Sequence, residues 1–272
     1  MSDSDIPLLI EPEELDRYCT GDNARIVDLC SEQAYVSGHI PGAIHLPAQT
    51  LTLSQPPIPG LLPDKSRLQK IFGYLGLTPD THFFVYDDEG GGWAGRFIWT
   101  LDVIGHKNYS YINGGILAWR GAGLEVELEE NTVEPTSPDI TIGSTATADV
   151  QEIMDKLGDD NFTIWDARSP EEYRGDKVFA ARGGHIPGAI NCEWISLMDS
   201  DKGFRIHDDA EERLGMLGIR KNQDIVTHCQ THHRSGFTYM VGKILGFNIR
   251  AYPGSWAEWG NLPGTPVEES AL

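Results

Sequence analysis

One sequence pattern occurs twice in this chain, and that restricts its fold more than any other feature. GHIPGA stands at residues 38–43 and again at 184–189. IVDLCSEQAY (26–35) parallels IWDARSPEEY (164–173), and HFFVYD (82–87) parallels DIVTHC (224–229). LDVIGHKNYSYINGGILAW (101–119) parallels VGKILGFNIRAYPGSWAEW (241–259). Four matched blocks in one order describe two copies of one folding unit. With 272 residues in the chain, each copy is long enough to bury its own core. Short apolar runs alternate with helical periods, which predicts an α/β fold: two tandem domains, each a mostly parallel sheet flanked by helices. The boundaries expected are 1–125 and 147–272. Between them residues 126–146 form a linker that is acidic, contains Pro and Thr, and lacks a helical period.

Within the first copy, the pattern predicts a short helix over 11–20, a strand ending at Asp28 and a helix over 31–36 capped by Ser31. Residues 50–63, rich in Pro and Leu, read as a loop. A helix is expected from Lys65 to Leu75, a strand from His82 to Tyr86, then a loop, DDEGGGWAGR, before a helix from Phe97 to Ile104. Tyr109–Ile112 reads as the next strand. Asp28, Asp87, Asp166 and Cys229 then fall at the C-terminal ends of strands, where sheets of this kind bind ligands.

The copies differ at one telling position. Where the first carries Asp87, the second carries Cys229. Cys229 ends a strand, Ile225–Thr227, and a tight loop to Ser235 leads into a helix from about Gly236 to Leu245. Free N–H groups and the dipole at a helix start favour the thiolate, which is the nucleophile. Loop N–H groups turned inward make an anion nest, and His232, His233 and Arg234 add donors and charge. Asp87 cannot do thiol chemistry, and the loop after it is acidic and reads as longer. The first copy is therefore expected to be catalytically silent.

Other chemistries fit less well. The formal net charge of −20 argues against nucleic acid and against an anionic membrane. No run approaches a membrane span. The start of the sequence is acidic and lacks a secretory layout, and four scattered cysteines form no disulfide framework, so a reducing cytoplasm is expected. GGGWAG (90–95) lacks the Lys-Ser/Thr of a phosphate loop, so no nucleotide is implied. His228-Cys229-x-x-His232-His233 has the wrong spacing for a common zinc site, and no metal is expected. A cysteine phosphatase or arsenate reductase needs five residues between Cys and Arg to wrap a tetrahedral oxyanion. Cys229 and Arg234 enclose four, a cradle better matched to one sulfur atom.

Taken together, these motifs resemble the rhodanese superfamily, and within it the tandem-domain sulfurtransferases of a bacterial subgroup with a CQTHHRS loop. The resemblance rests on D-x-R-x-x-x-E-Y at 166–173, the two GHIPGA turns, the strand, cysteine, loop and helix at 225–245, and GSWAEWG at 254–260. It implies transfer of a sulfane sulfur from a donor such as thiosulfate to a thiophile such as cyanide or a thiol, through a persulfide on Cys229. Mercaptopyruvate as donor, or a protein as acceptor, is the alternative. Gln230, Thr231, His232, His233 and Ser235 would bind the donor, and Arg234 would either orient the donor's sulfonate or pin the loop from outside. The position of a donor-binding arginine in vertebrate members falls on Glu172, and Arg174 and Arg182 are nearby cations to replace it. Arg168 is expected to pair with Glu171 or Glu172. Asp166 would hold the loop or cap the helix near Ser169, and Trp194 would line the pocket. No cofactor is implied beyond the transient persulfide, and a monomer is expected.

Overall fold

The computed structural model describes residues 6–269, so the first five residues of the acidic start lie outside the described residues. The strands in chain order are β1 (Leu9–Ile10), β2 (Ala24–Asp28), β3 (Ala43–His45), β4 (Leu53–Gln55), β5 (Ile58–Leu61), β6 (His82–Tyr86), β7 (Tyr109–Ile112), β8 (Phe162–Asp166), β9 (Ile190–Asn191), β10 (Met198–Asp199), β11 (Arg205–Ile206), β12 (Asp224–His228) and β13 (Asn248–Ala251). The helices are α1 (Leu15–Tyr18), α2 (Glu32–Val36), α3 (Lys65–Tyr74), α4 (Gly92–Val103), α5 (Gly115–Gly121), α6 (Val150–Lys156), α7 (Pro170–Arg174), α8 (Ala210–Leu217), α9 (Arg234–Ile244) and α10 (Ser255–Trp259).

Two compact units result. Unit one holds the described residues up to Leu51, then Pro63–Gly143 and Met198–Ile206; unit two holds Thr52–Leu62, Ser144–Leu197 and the chain from His207. The sheet of unit one is parallel, in the order β1-β7-β6-β2-β3. That of unit two is parallel too, in the order β13-β12-β8-β9. A parallel bridge from Thr147 to Ala251 stands where β1 meets β7 in the first copy. Both central strands, β6 and β12, are buried along nearly their whole length, as apolar runs covered on two faces must be.

The repeated motif explains its own repetition. In each copy its histidine is buried and stacks on a tyrosine: His39 on Tyr35 at 3.8 Å, His185 on Tyr173 at 3.6 Å. The same tyrosines donate through their hydroxyls to the motif's final carbonyl, Ala43 at 3.1 Å and Ala189 at 2.6 Å. GHIPGA is thus a fastening of helix to strand in both copies rather than part of a catalytic group.

Two segments depart from the sequence reading. Residues 50–63 are not simply a loop: β4 and β5 form an antiparallel hairpin, with Leu53 opposite Leu61 and Gln55 opposite Ile58. This hairpin, though coded in the first copy, folds within unit two. Its counterpart, β10 paired with β11, is coded in the second copy and folds within unit one.

The second departure concerns Asp87. α4 begins at Gly92 rather than near Phe97, because the Asp87 carboxylate gathers its first turns. It accepts from the backbone N–H of Glu89 (3.0 Å), Gly91 (2.8 Å), Trp93 (2.8 Å) and Ala94 (3.0 Å). α4 therefore starts as far beyond Asp87 as α9 does beyond Cys229, and the first loop is not the longer one. Burial pushes the Asp87 pKa up, and the N–H donors work against that rise. Asp87→Ala strips the acceptor from four N–H groups around a fully buried site. The expected cost is about 3 kcal/mol of stability, read as a lower denaturation midpoint with an unchanged slope.

Candidate active site

The end of β12 is held from behind. α10 points its first N–H groups at the strand's exit: Trp256 donates to the Cys229 carbonyl at 2.9 Å and Ala257 to that of Gln230 at 3.0 Å. The Cys229 N–H donates to the Ser255 hydroxyl at 3.4 Å, which in turn donates to the Tyr252 carbonyl at 2.9 Å. Ser255 has φ 54°, the left-handed region that glycine favours. In the first copy the matching position is Gly115, with φ 58°. A serine standing where its repeat has glycine is a signal the sequence carried, and it was missed.

The Cys229 thiol is buried, 1 % exposed. Burial pushes its pKa up. The Arg234 guanidinium, the Ser235 hydroxyl and the backbone N–H groups of Ser235 and Thr231 outweigh burial and hold it below the ordinary 9.0. Thr231 and Ser235 stand at the same steps beyond Cys229 as Glu89 and Trp93 stand beyond Asp87. One backbone cradle therefore holds a carboxylate in the first copy and a sulfur in the second.

His232 makes this turn possible and is buried in it. Its φ of 56° puts a non-glycine residue in the left-handed region, at a cost of about 1 kcal/mol. That turn directs successive N–H groups inward. Its Nδ1 meets the Ser235 Oγ at 2.8 Å, so the ring orients the hydroxyl that reaches Cys229. His233 stands at the N-terminus of α9 with its ring edge-on to Trp194, the centroids 5.6 Å apart; Trp194 also meets Phe237 at 6.1 Å. Gln230 turns its amide to the Phe179 carbonyl at 3.2 Å. It ties the loop to the segment over 174–184.

Arg234 is anchored rather than free to swing. It forms a bidentate pair with Glu172, at 2.5 and 2.8 Å, and Glu172 also completes a capping box with Ser169 at the start of α7. Burial pushes the Glu172 pKa up, and the Arg234 hydrogen bond and charge bring it below its ordinary value. The position matching the vertebrate donor-binding arginine thus carries the counter-ion of the loop's own arginine.

Behind the loop lies a second buried pair. Arg168 grips Asp166 through Nε (3.0 and 3.1 Å) and Nη2 (2.6 Å), donates to the Gly184 carbonyl at 2.8 Å and lies over the Trp256 ring at 4.4 Å. Arg168 therefore pairs with Asp166 and not with Glu171 or Glu172. The cap of α7 is Ser169, not Asp166. His228 faces Asp166 at 3.6 Å through Nε2 and meets the Cys229 carbonyl at 3.1 Å through Nδ1. Burial pushes the His228 pKa down. The rings of His228 and His232 are thus turned to different protein groups rather than to one point where a metal could sit.

Two expected donor-binding cations are committed elsewhere. Arg174 is paired with Asp176 at 2.9 Å. Arg182 donates to the carbonyls of Trp259 (2.8 Å), Leu262 (2.8 Å) and Thr265 (2.6 Å), as well as to the Thr265 hydroxyl, and so pins the C-terminal loop. The carbonyls of Trp259, Leu262 and Thr265 claim it, and no residue pattern marks them in advance.

A doubled α/β architecture with an anion cradle closed on a cysteine in one copy, and on a carboxylate in the other, defines a tandem sulfur-handling class. The rhodanese-like domain model matches residues 11–122 and 149–262. The chain is 50 % identical over 266 residues to the thiosulfate sulfurtransferase of Azotobacter vinelandii, covering 97 % of each chain. It is 48 % identical over 266 residues to the enzyme of the same name from Pseudomonas aeruginosa, covering 97 % of this chain and 98 % of that one. It is 32 % identical over 247 residues to the sulfur carrier protein TtuD of Thermus thermophilus, covering 86 % of each. This chain belongs to the rhodanese family.

The lowered thiol pKa fixes a pH dependence. Thiolate predominates above the depressed value and is lost as pH falls through it. The alkylation rate of Cys229 by iodoacetamide, followed by peptide mass, is expected to rise with a midpoint below 9.0. Arg234→Gln removes the largest favourable charge and moves that midpoint up by about one unit. Glu172 acts on stability. Its folded pKa lies below the ordinary 4.5, so its contribution is complete above 4.5 and lost as pH falls through the folded value. Glu172→Gln is expected to lower the denaturation midpoint at neutral pH and to flatten its fall in acid.

Proposed function

We propose that this chain is a thiosulfate sulfurtransferase working by double displacement through Cys229. The observation that carries the reading is the cradle: a buried Cys229 thiol at the end of β12, faced by Arg234, the Ser235 hydroxyl and the N–H groups of a loop that His232 turns through the left-handed region. The Cys229 thiolate attacks the outer sulfur of thiosulfate. A sulfur–sulfur bond forms to Cys229, the one to the sulfonate sulfur breaks, and sulfite leaves with the electron pair. The terminal sulfur of the persulfide carries the charge the thiolate had, and the same N–H groups receive it. A thiophile such as cyanide then attacks that sulfur, and Cys229 returns as thiolate. Charge is conserved at both steps, and no resident cofactor takes part. Relatives sharing half of the residues over the full length bear the same activity name, which supports thiosulfate as donor.

A second reading concerns the acceptor. Val178 and Phe179, 49 % and 55 % exposed, stand in the segment whose Phe179 carbonyl holds Gln230 of the loop. Exposed apolar side chains beside a reactive loop suit a protein thiol as acceptor, and one relative is named a sulfur carrier protein. The setting proposed is a reducing compartment, since all four cysteines are free, and the working form a monomer. Among the described residues no helix is long and apolar enough to cross a membrane.

Intact mass provides the test. Reduced protein treated with thiosulfate and freed of excess is expected to gain one sulfur atom, to lose it on adding cyanide, and to gain none as Cys229→Ala. Retention of sulfur by the alanine variant, or none by the wild type with any of thiosulfate, mercaptopyruvate and a low-molecular-weight persulfide, overturns the assignment.

A further inference from the structure

The hairpin β4–β5 reaches the sulfur cradle at one point. Gly60, in β5, is buried, and its bare α-carbon lies against Thr231. A β-carbon there would collide with the Thr231 carbonyl oxygen, stand 2.7 Å from its carbonyl carbon and 3.2 Å from its α-carbon. Real β-carbons do not approach backbone so closely, and backbone cannot swing aside as a side-chain tip can. β5 also packs on α10, the helix that holds the carbonyls of Cys229 and Gln230.

Thr231 is where the cradle is most easily disturbed. Its N–H donates to the Cys229 sulfur, and its carbonyl leads into His232 in the left-handed region. A peptide between an ordinary and a left-handed residue turns over readily, because the two orientations differ mainly in the torsions on either side. Turning it moves the Thr231 carbonyl and the His232 N–H, and the torsion taken up at Thr231 draws that residue's own N–H off the Cys229 sulfur. The hairpin backbone seated on the Thr231 carbonyl blocks that movement.

In the first copy a hairpin also covers the loop, with the glycine on the loop rather than on the hairpin. There the loop after Asp87 is overlaid within unit one by the other hairpin. A β-carbon on Gly90 would stand 2.8 Å from the Met198 sulfur and 3.2 Å from the Phe204 β-carbon. Each copy's loop is thus covered by a hairpin coded in the other copy, and each contact is made at a glycine.

We infer that Gly60 is a positioning residue for sulfur transfer: its lack of a side chain lets the hairpin bear on Thr231 and hold the loop in its anion-receiving conformation. The inference rests on Cys229 as the nucleophile but not on the identity of the donor. Its test reads the thiolate directly, so it stands or fails apart from the thiosulfate experiment. The Cys229 titration is measured by ultraviolet absorbance, each protein against the same protein carrying Cys229→Ala. Gly60→Ala is expected to lose one hydrogen bond to the anion, which amounts to about a tenfold smaller thiolate-to-thiol ratio at a given pH. The rate of persulfide formation falls in parallel. Ser54→Ala, exposed on the same hairpin, is expected to leave the titration in place. Should Gly60→Ala not fold, Pro59→Gly loosens the hairpin without adding an atom and is expected to shift the titration the same way. A folded Gly60→Ala protein with an unmoved titration overturns the inference. So does an unmoved titration in Pro59→Gly where Gly60→Ala is unfolded.

Discussion

Backbone N–H groups turned toward one point are the constraint on which the rest of this molecule depends. Such a nest cannot stand empty in a buried setting without leaving donors unsatisfied. Both copies therefore keep an anion in it. In the first the chain supplies that anion itself, as the Asp87 carboxylate, and closes the matter permanently. In the second a thiol occupies the position, and the donors favour its thiolate. Carboxylate and thiol are thus two fillings of one backbone shape.

Holding that shape falls to groups with no role in bond making. The pair of Arg234 with Glu172 fixes the far end of the loop, and Glu172 is itself fixed by the cap of α7. Arg168 and Asp166 fill the space beneath the strand ends and carry Trp256, whose N–H holds the Cys229 carbonyl. Charges this deep cost desolvation, and their bidentate geometry and added carbonyl contacts offset it. The return is a cradle that need not reorganise when charge arrives.

Much of this was legible in the sequence, and the exceptions have physical causes. Strands β6 and β7 were read at their true bounds because central strands of a parallel sheet are apolar throughout. Cys229 was legible because its repeat partner is an acid. Hairpin β4–β5 was not, since Pro56, Pro57 and Pro59 read as a loop and its pairing is stabilised by packing on residues far along the chain. The start of α4 was hidden by three glycines, poor helix formers, and periodicity does not register the Asp87 carboxylate that accepts from Glu89, Gly91, Trp93 and Ala94. Arg182 was read by charge alone, and its charge is used on carbonyls of a turn. Spacing along the chain captured strands and the cysteine's place at a strand end. It missed which charge each arginine pairs with, for Arg168 on Asp166 as for Arg234 on Glu172.

The interleaved hairpins bear on how such a chain could have arisen and how it is made. Neither unit is a continuous stretch: unit one draws on Met198–Ile206, unit two on Thr52–Leu62. During synthesis the first copy therefore waits, incomplete, until the middle of the second has left the ribosome. Duplication of an ancestral gene would have made the two copies interchangeable, and the exchange of hairpins made them hostages of each other. A gene that later discarded the half carrying Asp87 would discard, with Thr52–Leu62, a piece of the unit that holds Cys229. The copy that carries Asp87 at the cysteine's position persists, on this view, because it still supplies a part.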